Sequence, residues 1–299
     1  TPLYSSAASD VYKRQITSST YAGSQAGAYL HAALKGADSL EYATVRDAVN
    51  YKEVINTLTN SNLVKDATCG FDEQSSTLTM TENVLEVEQF QINQDICRKT
   101  LLSDWSYSQE DDFVAFAMAY SAGVIADGIE GAFWAGTTGT SGQFNGITTS
   151  YSGSMTTDSA SGAYTAANIV ANIGSLVAAI PAAVYMKDDL YIYMNKKAYR
   201  FYISAISALS AFPFNHMGQY TPEFEGIKIA VVSGLADNVM YAGQQGNLFF
   251  GTSTALDMDF NEVKVLDMAD LDGSQNVRMV ARWTAGVQVG VDADFTYQS

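Results

Sequence analysis

Residues 188–202, Asp188-Asp-Leu-Tyr-Ile-Tyr-Met-Asn-Lys-Lys-Ala-Tyr-Arg-Phe-Tyr202, change their hydrophobic period partway along. Leu190–Met194 is an unbroken apolar run, the pattern of a strand covered on both faces. Asn195 stands where a helix needs an N-cap, since its side-chain oxygen can accept from an open N–H of the first turn. Tyr199, Tyr202 and Ile203 follow at helical spacing and share one side. Two further apolar runs come later, Gly226-Ile-Lys-Ile-Ala-Val-Val-Ser-Gly-Leu235 and Asn247-Leu-Phe-Phe-Gly251.

Around this stretch the chain has 299 residues, 47% hydrophobic and 12% aromatic, enough to bury a large core. Charged residues are only 16%, which argues against intrinsic disorder. The net charge of −16, from 32 acids against 16 bases, predicts repulsion of nucleic acid rather than capture. Ser5-Ser-Ala-Ala-Ser-Asp-Val-Tyr-Lys-Arg-Gln15 reads as the translation of a sequencing-library adapter, so residues 1–15 are set aside and the native N-terminus is expected to differ. Two apolar stretches fall short of membrane spans. Phe113–Ala126 is shorter than the ~20 residues a span needs and is closed by Asp127 and Glu130, while Ala163–Met186 holds Asn168, Asn172 and Pro181. Both read as core helices.

The order of elements follows from period and punctuation. Thr17–Leu34 reads as a weak helix with Ser18 and Ser19 as cap signals and Gly36 as its stop. Residues 51–105 read as a long β-hairpin turning near Gly70–Ser76, with near-alternation from Thr77 to Ile92. Arms of about 20 residues at ~3.3 Å each would reach about 65 Å, and an isolated two-stranded ribbon is marginal in water. The hairpin therefore needs something to lie on: a neighbouring subunit is the economical support, and a place in a local sheet of the same chain is the alternative. Cys69 and Cys97 would fall far apart on it, beyond the ~7 Å a disulfide allows, so free thiols and a reducing compartment are expected.

Ser108–Ala135 is the clearest helix, with Ser108 as cap and Glu110, Asp111 and Asp112 in the first turn. Its rows Phe113–Phe116–Ala117–Tyr120–Val124 and Val114–Met118–Ile125–Ile129–Phe133 are both apolar, which predicts cover on more than one side. Gly136–Gly162 reads as a mobile surface loop. A helix over Tyr164–Pro181 puts Ile169, Ile173, Leu176, Val177 and Ile180 on one stripe. Pro213 and Pro222 bracket a loop. Strands are expected at Val263–Leu266, Val277–Trp283 and Val287–Val291, with turns at Asp272-Gly273 and Ala285-Gly286.

No motif points to a reaction. His31 and His216 are the only histidines, and neither has partners at metal-ligand spacing. No nucleophile elbow or phosphate loop is present. Asp257-x-Asp259-x-Asn261 opens like a calcium loop, but Glu262 replaces the required glycine and Met268 the required glutamate. Asp111 and Asp112 are explained by helix capping, and Asp188 and Asp189 by solvation at a strand entrance. Lys196, Lys197 and Arg200 read as a solvated face, with ion pairing between subunits as the other reading. The expectation is no catalytic, cofactor-binding or metal-binding residue.

Taken in order, these elements resemble tailed-bacteriophage major capsid proteins, the Hong Kong 97-type fold. The resemblance implies an α+β chain with an N-terminal arm (16–50), an extended E-loop hairpin (51–105), a peripheral domain with its spine helix (106–136 and 255–299) and an axial domain (137–254). Gln275-Asn-Val-Arg-Met-Val-Ala-Arg-Trp-Thr-Ala-Gly286-Val-Gln-Val looks like that family's final β-ribbon, a strand, a glycine turn and a strand. The implied function is self-assembly, as hexamers and pentamers, into the icosahedral head of a virion formed in the host cytoplasm. The shell would enclose double-stranded DNA without sequence-specific binding; the net acidity then reads either as a lining along which DNA slides or as a surface that keeps the chain in solution. The E-loop would lie over the next subunit, the axial domain near a local symmetry axis. Portal and scaffold or decoration proteins are implied partners, with no membrane. Some members crosslink a lysine to an asparagine. Lys65 lies in the expected E-loop, but no acceptor can be matched. Rival readings are an encapsulin-type compartment shell, a β-rich cell-surface or adhesin subunit and an unrecognised hydrolase.

Overall fold

The structure is a computed structural model that describes residues 19–21, 36–47, 52–59, 79–97, 110–208, 223–252 and 263–299. In chain order, β1 is Ser19–Tyr21, β2 Thr44–Asp47, β3 Lys52–Thr59, β4 Thr79–Glu86 and β5 Glu88–Cys97. Next come α1 Glu110–Ala135, α2 Ile147–Tyr151, β6 Thr156–Asp158, α3 Ile169–Ala179, α4 Ala182–Tyr185, β7 Leu190–Asn195 and α5 Lys196–Ala208. The remainder is β8 Glu223–Phe224, β9 Ile227–Val232, β10 Met240–Gln244, β11 Leu248–Thr252, β12 Val263–Asp267, β13 Asn276–Val289 and β14 Thr296–Gln298.

The described strands form two sheets and a ribbon. The first sheet runs β1-β12-β13-β11-β2, with β5 also paired to β13, the second runs β6-β14-β10-β7-β9-β8, and β3 pairs only with β4. The apolar run 190–194 is continuous because β7 is central and buried on both faces. Tyr191 and Tyr193 point into the core shared with α1, and Leu190, Ile192 and Met194 into the core under α3 and α5. The stripe Ile169, Ile173, Leu176, Val177 and Ile180 is buried against that second face, as its spacing predicts.

Asn195 caps α5 as expected. The Ala198 N–H donates to Asn195 Oδ1 at 2.7 Å, and Asn195 Nδ2 donates to Asp237 Oδ1 at 2.9 Å. Asn195→Ala should cost about 1–2 kcal/mol. At roughly 2–4 °C per kcal/mol in a chain of this size, calorimetry should read a fall of several degrees in Tm.

The C-terminal end of α1 is wedged between the two sheets. Phe133 lies 6.3 Å, ring centre to ring centre, from Phe250 of the first sheet. Trp134 stacks on Tyr241 of the second at 5.1 Å and lies 5.4 Å from Tyr193. One helix end thus contributes an aromatic anchor to each sheet.

Several expectations are corrected. Ser19–Tyr21 is not a helix start; it pairs antiparallel with Val263–Val265, where Thr20 and Tyr21 suit a sheet edge better than a small-residue helix. Among the described residues the hairpin pairs Lys52–Thr59 with Thr79–Glu86, its expected turn near Gly70–Ser76 lies outside them, and residues 88–97 leave the hairpin to pair with β13. Residues 136–162 are folded, with Phe144, Ile147 and Met155 buried. Gly136 O accepts from Gly146 N at 2.9 Å and Thr149 Oγ1 at 2.7 Å, bonds that close the loop onto the end of α1. A turn forms at Asp272-Gly273, where Ser274 N donates to Asp272 Oδ1 at 2.8 Å, but none forms at Ala285-Gly286. β13 runs unbroken from Asn276 to Val289 because Gly286 serves close approach instead: a Cβ there would sit 2.1 Å from Glu86 O. The ribbon of strand, glycine turn and strand is therefore a single strand. β14 joins β10 and β6 in the second sheet rather than the closing strands of the first. Its Gln298 is buried, donating to Asp158 Oδ2 at 2.5 Å and accepting from Tyr164 Oη at 2.8 Å.

Candidate assembly surface

The β3–β4 ribbon has two chemically different faces. Its register sets Val54 opposite Val84 and Leu58 opposite Met80. Period-two geometry puts all four on one face, with Asn56 and Glu82 between them. On that face Val54 is 50% exposed, Leu58 59%, Met80 57% and Val84 39%. The opposite face meets the body at its Asn83–Leu85 end: Leu85 is fully buried, and Asn83 Nδ2 donates to the Gly290 carbonyl. At the ribbon base Lys52 Nζ lies 2.5 Å from Glu86 Oε1, an exposed pair that contributes little. Paired apolar side chains on one side of a marginal ribbon are a surface made for cover.

A second uncovered surface lies on α1. Row members Tyr120 and Val124 are exposed, beside exposed Gly123, Gly128 and Gly131, whereas Ile125, Ile129 and Phe133 are buried. Within one chain, therefore, the described part of the helix is covered on one side only, contrary to the expectation from its two apolar rows. A third surface is an open groove of about 630 Å³ beside α3 and α4, lined by Val177, Ala178, Tyr185 and Met186.

The residues weighed for chemistry do not converge. His31, His216, Cys69, Lys65, Asp257, Asp259, Asn261 and Glu262 lie outside the described residues, as do the side chains of Asp111, Asp112 and Phe116. Met268 is buried in a single-turn helix after β12. Asp188 is exposed, and Asp189 accepts from Gln244 Nε2 at 2.8 Å, which fastens the entrance of β7. Lys197 pairs within the chain, its Nζ 2.6 Å from Asp237 Oδ2. Hydrogen bonding to Lys197 holds the Asp237 carboxyl below its ordinary range. Arg278 does the same for Asp95 across β13 and β5, through contacts of 2.6 and 2.7 Å. Burial pushes the Tyr151 phenol up to about 12, with the charge of Asp292 adding to it; its Oη donates to Gln288 Oε1 at 2.6 Å. Among the described residues no group of three or more His, Cys, Asp or Glu is placed to hold a metal ion, and no helix is long and apolar enough to cross a membrane.

Sequence reasoning missed Glu130, read only as the end of an apolar stretch. It is 4% exposed and accepts three hydrogen bonds. Its signal was its place four residues after Ala126 and four before Trp134, in the inward row of α1.

No protein-family model matches the chain, and no curated protein matches it by sequence. Solved structures do match. The satellite phage P4 procapsid, solved with its size determination protein, aligns over 98% of this chain and 95% of its own at TM-score 0.63 and 15% identity. The capsid of an empty GTA particle aligns over 98% and 97% at TM-score 0.60 and 14% identity. The chain has the Hong Kong 97-type capsid fold. A protein of Gordonia phage Cozz aligns over 87% of this chain and 85% of its own, at TM-score 0.61 and 13% identity.

Proposed function

We propose that the chain is a major capsid subunit, a structural protein that assembles with copies of itself into the icosahedral head shell of a tailed phage. The observation that carries this reading is the one-sided ribbon: Val54, Leu58, Met80 and Val84 stay exposed in a chain whose capsid-like fold extends over nearly its whole length. Apolar pairs of this kind gain stability only when another surface excludes water from them. A second copy is the economical source of that surface, because a head-to-tail contact repeated around an axis closes a ring. One of the similar structures is a capsid computed with C5 symmetry, which supports rings of five, with hexamers filling the rest of the shell.

On this reading residues 16–50 are the N-terminal arm, the ribbon within 51–105 is the E-loop, and α1 is the spine helix. Strands β12 and β13 of the first sheet belong to the peripheral domain, and the second sheet, apart from β14, belongs to the axial domain. The role is structural rather than enzymatic. The shell encloses double-stranded DNA without reading its sequence, in keeping with a net charge of −16. Portal and scaffold or decoration proteins complete the set of partners, and assembly takes place in the host cytoplasm. Sedimentation velocity of the purified protein tests the proposal. The expected boundary is that of megadalton particles, and a single boundary at the mass of one 32.2 kDa chain at all concentrations contradicts it.

A further inference from the structure

Three parts of the chain that lie far apart in sequence meet at one buried carboxylate. Glu130 Oε2 accepts from Ser39 N at 2.8 Å, and Oε1 accepts from Ser39 Oγ at 2.6 Å and Gly234 N at 2.9 Å. Ser39 Oγ in turn accepts from Trp134 Nε1 at 2.6 Å, one turn further along α1. Beside this cluster Ser233 Oγ donates to Asp38 Oδ2 at 3.0 Å. Asp38 and Ser39 open the short helical turn Asp38–Tyr42, while Ser233 and Gly234 follow the end of β9 in the second sheet.

The segment that carries Ser39 touches all three layers. Tyr42 packs on Tyr191 and Tyr193 of the second sheet, at 5.4 and 6.2 Å between ring centres. Gln245 Nε2 donates to the Glu41 carbonyl at 3.1 Å. Two residues after Tyr42 the chain becomes β2 and pairs parallel with β11 of the first sheet. Residues 38–47 therefore staple the second sheet, α1 and the first sheet together, and Glu130 is the point where the staple is fixed to the helix.

The chemistry of the clip suits a carboxyl group, whose two oxygens both accept. All three donors that reach Glu130 are uncharged N–H or O–H groups, and each needs an oxygen lone pair. A glutamine can present its oxygen to Ser39 Oγ and Gly234 N, but its –NH2 then faces the Ser39 N–H, donor against donor. Burying a carboxylate is costly, and an apolar side chain would hold these layers together without that cost. What the carboxylate adds is direction, because two oxygens fix two segments at set angles to one helix.

We propose that Glu130 is a positioning residue that locks residues 38–42 and the loop after β9 to α1, and so sets the angle between the two sheets at which copies meet. The part about copies rests on the capsid reading above; the lock itself does not. Two substitutions test it, Glu130→Gln and the milder Ser39→Ala, which keeps the carboxylate and the Ser39 N–H but removes the hydroxyl bridge to Trp134. Backbone amide exchange is measured on the folded subunit, and particle diameter by electron microscopy.

In Glu130→Gln, amides of 38–42 and 233–236 should exchange about tenfold faster or more, while those of β9 and β13 keep the parental rate. Ser39→Ala should show the same local pattern more weakly. Particles of Glu130→Gln should differ in diameter or fail to close. Unchanged exchange at 38–42 and 233–236 in both variants overturns the lock. Faster local exchange with particles of parental diameter overturns its role in setting the angle. If the parent chain forms no particle, the capsid reading fails, and the exchange measurement still decides whether Glu130 locks the segment.

Discussion

Leu58→Asp combined with Val84→Asp should abolish particle formation and leave the isolated subunit folded, its Tm within a few degrees of the parent's. Both side chains sit on the open face of the ribbon, so within one chain they have few contacts to lose, and such surface changes typically cost within about 0.5 kcal/mol each. Between copies the effect reverses. Each apolar side chain covered in an interface contributes about 1.5–3 kcal/mol, and an aspartate there would be buried without a partner. A shell repeats the contact in every subunit, so the loss multiplies. Size-exclusion chromatography with circular dichroism separates the two effects. Leu85→Asp is the matched contrast, because Leu85 is itself fully buried on the other face of the same strand. It should destabilise the subunit itself, by about 3 kcal/mol or more. Parental particles from the double variant would remove the ribbon from the interface.

Gly286→Ala should be among the most damaging single-methyl changes in the chain. The new Cβ would lie 2.1 Å from Glu86 O and 3.0 Å from Val87 Cα, both backbone atoms that no rotamer change can move. Gly286 sits where β13 changes partners, from β5 over residues 276–285 to β11 over 286–289, with the β4–β5 junction crossing above it. Relief requires pushing that junction off the sheet, which carries Leu85 and Val87 out of their buried sites. Overpacking commonly costs about 1–3 kcal/mol, and a backbone clash belongs at or above the top of that range. Against a total stability of about 5–15 kcal/mol this should show as a large fall in the urea midpoint, whereas a midpoint within error of the parent's would disprove the close approach.

Local chemistry was legible where one segment determines its own structure. The switch of period at Asn195 marked a central strand and a capped helix, and both are present with the cap bond formed. The stripe from Ile169 to Ile180 likewise needed only helix geometry. What was not legible depends on partners distant in sequence. Gly286 reads locally as a turn residue, and only the passage of Glu86 above it shows that a strand continues through. Ser19–Tyr21 becomes a strand because β12 offers an edge, at the far end of the sequence. The run 136–162 looks too poor in apolar residues to fold, yet Phe144, Ile147 and Met155 suffice once the end of α1 gives them a wall. Glu130 was the hardest case. A lone acid in an apolar row reads as a boundary, and its three donors come from residues about one hundred positions to either side.

The apolar face of the ribbon was half legible. Alternation showed a strand, and the weakness of an isolated hairpin pointed to an external support. The register that stacks Val54 on Val84 and Leu58 on Met80 needed the structure.

Negative-stain electron microscopy of the purified chain tests self-tiling most directly. Closed polyhedral particles of uniform diameter are the expected image. A field of dispersed single subunits, at concentrations well above those needed for an interface of ordinary size, would contradict the account at its root.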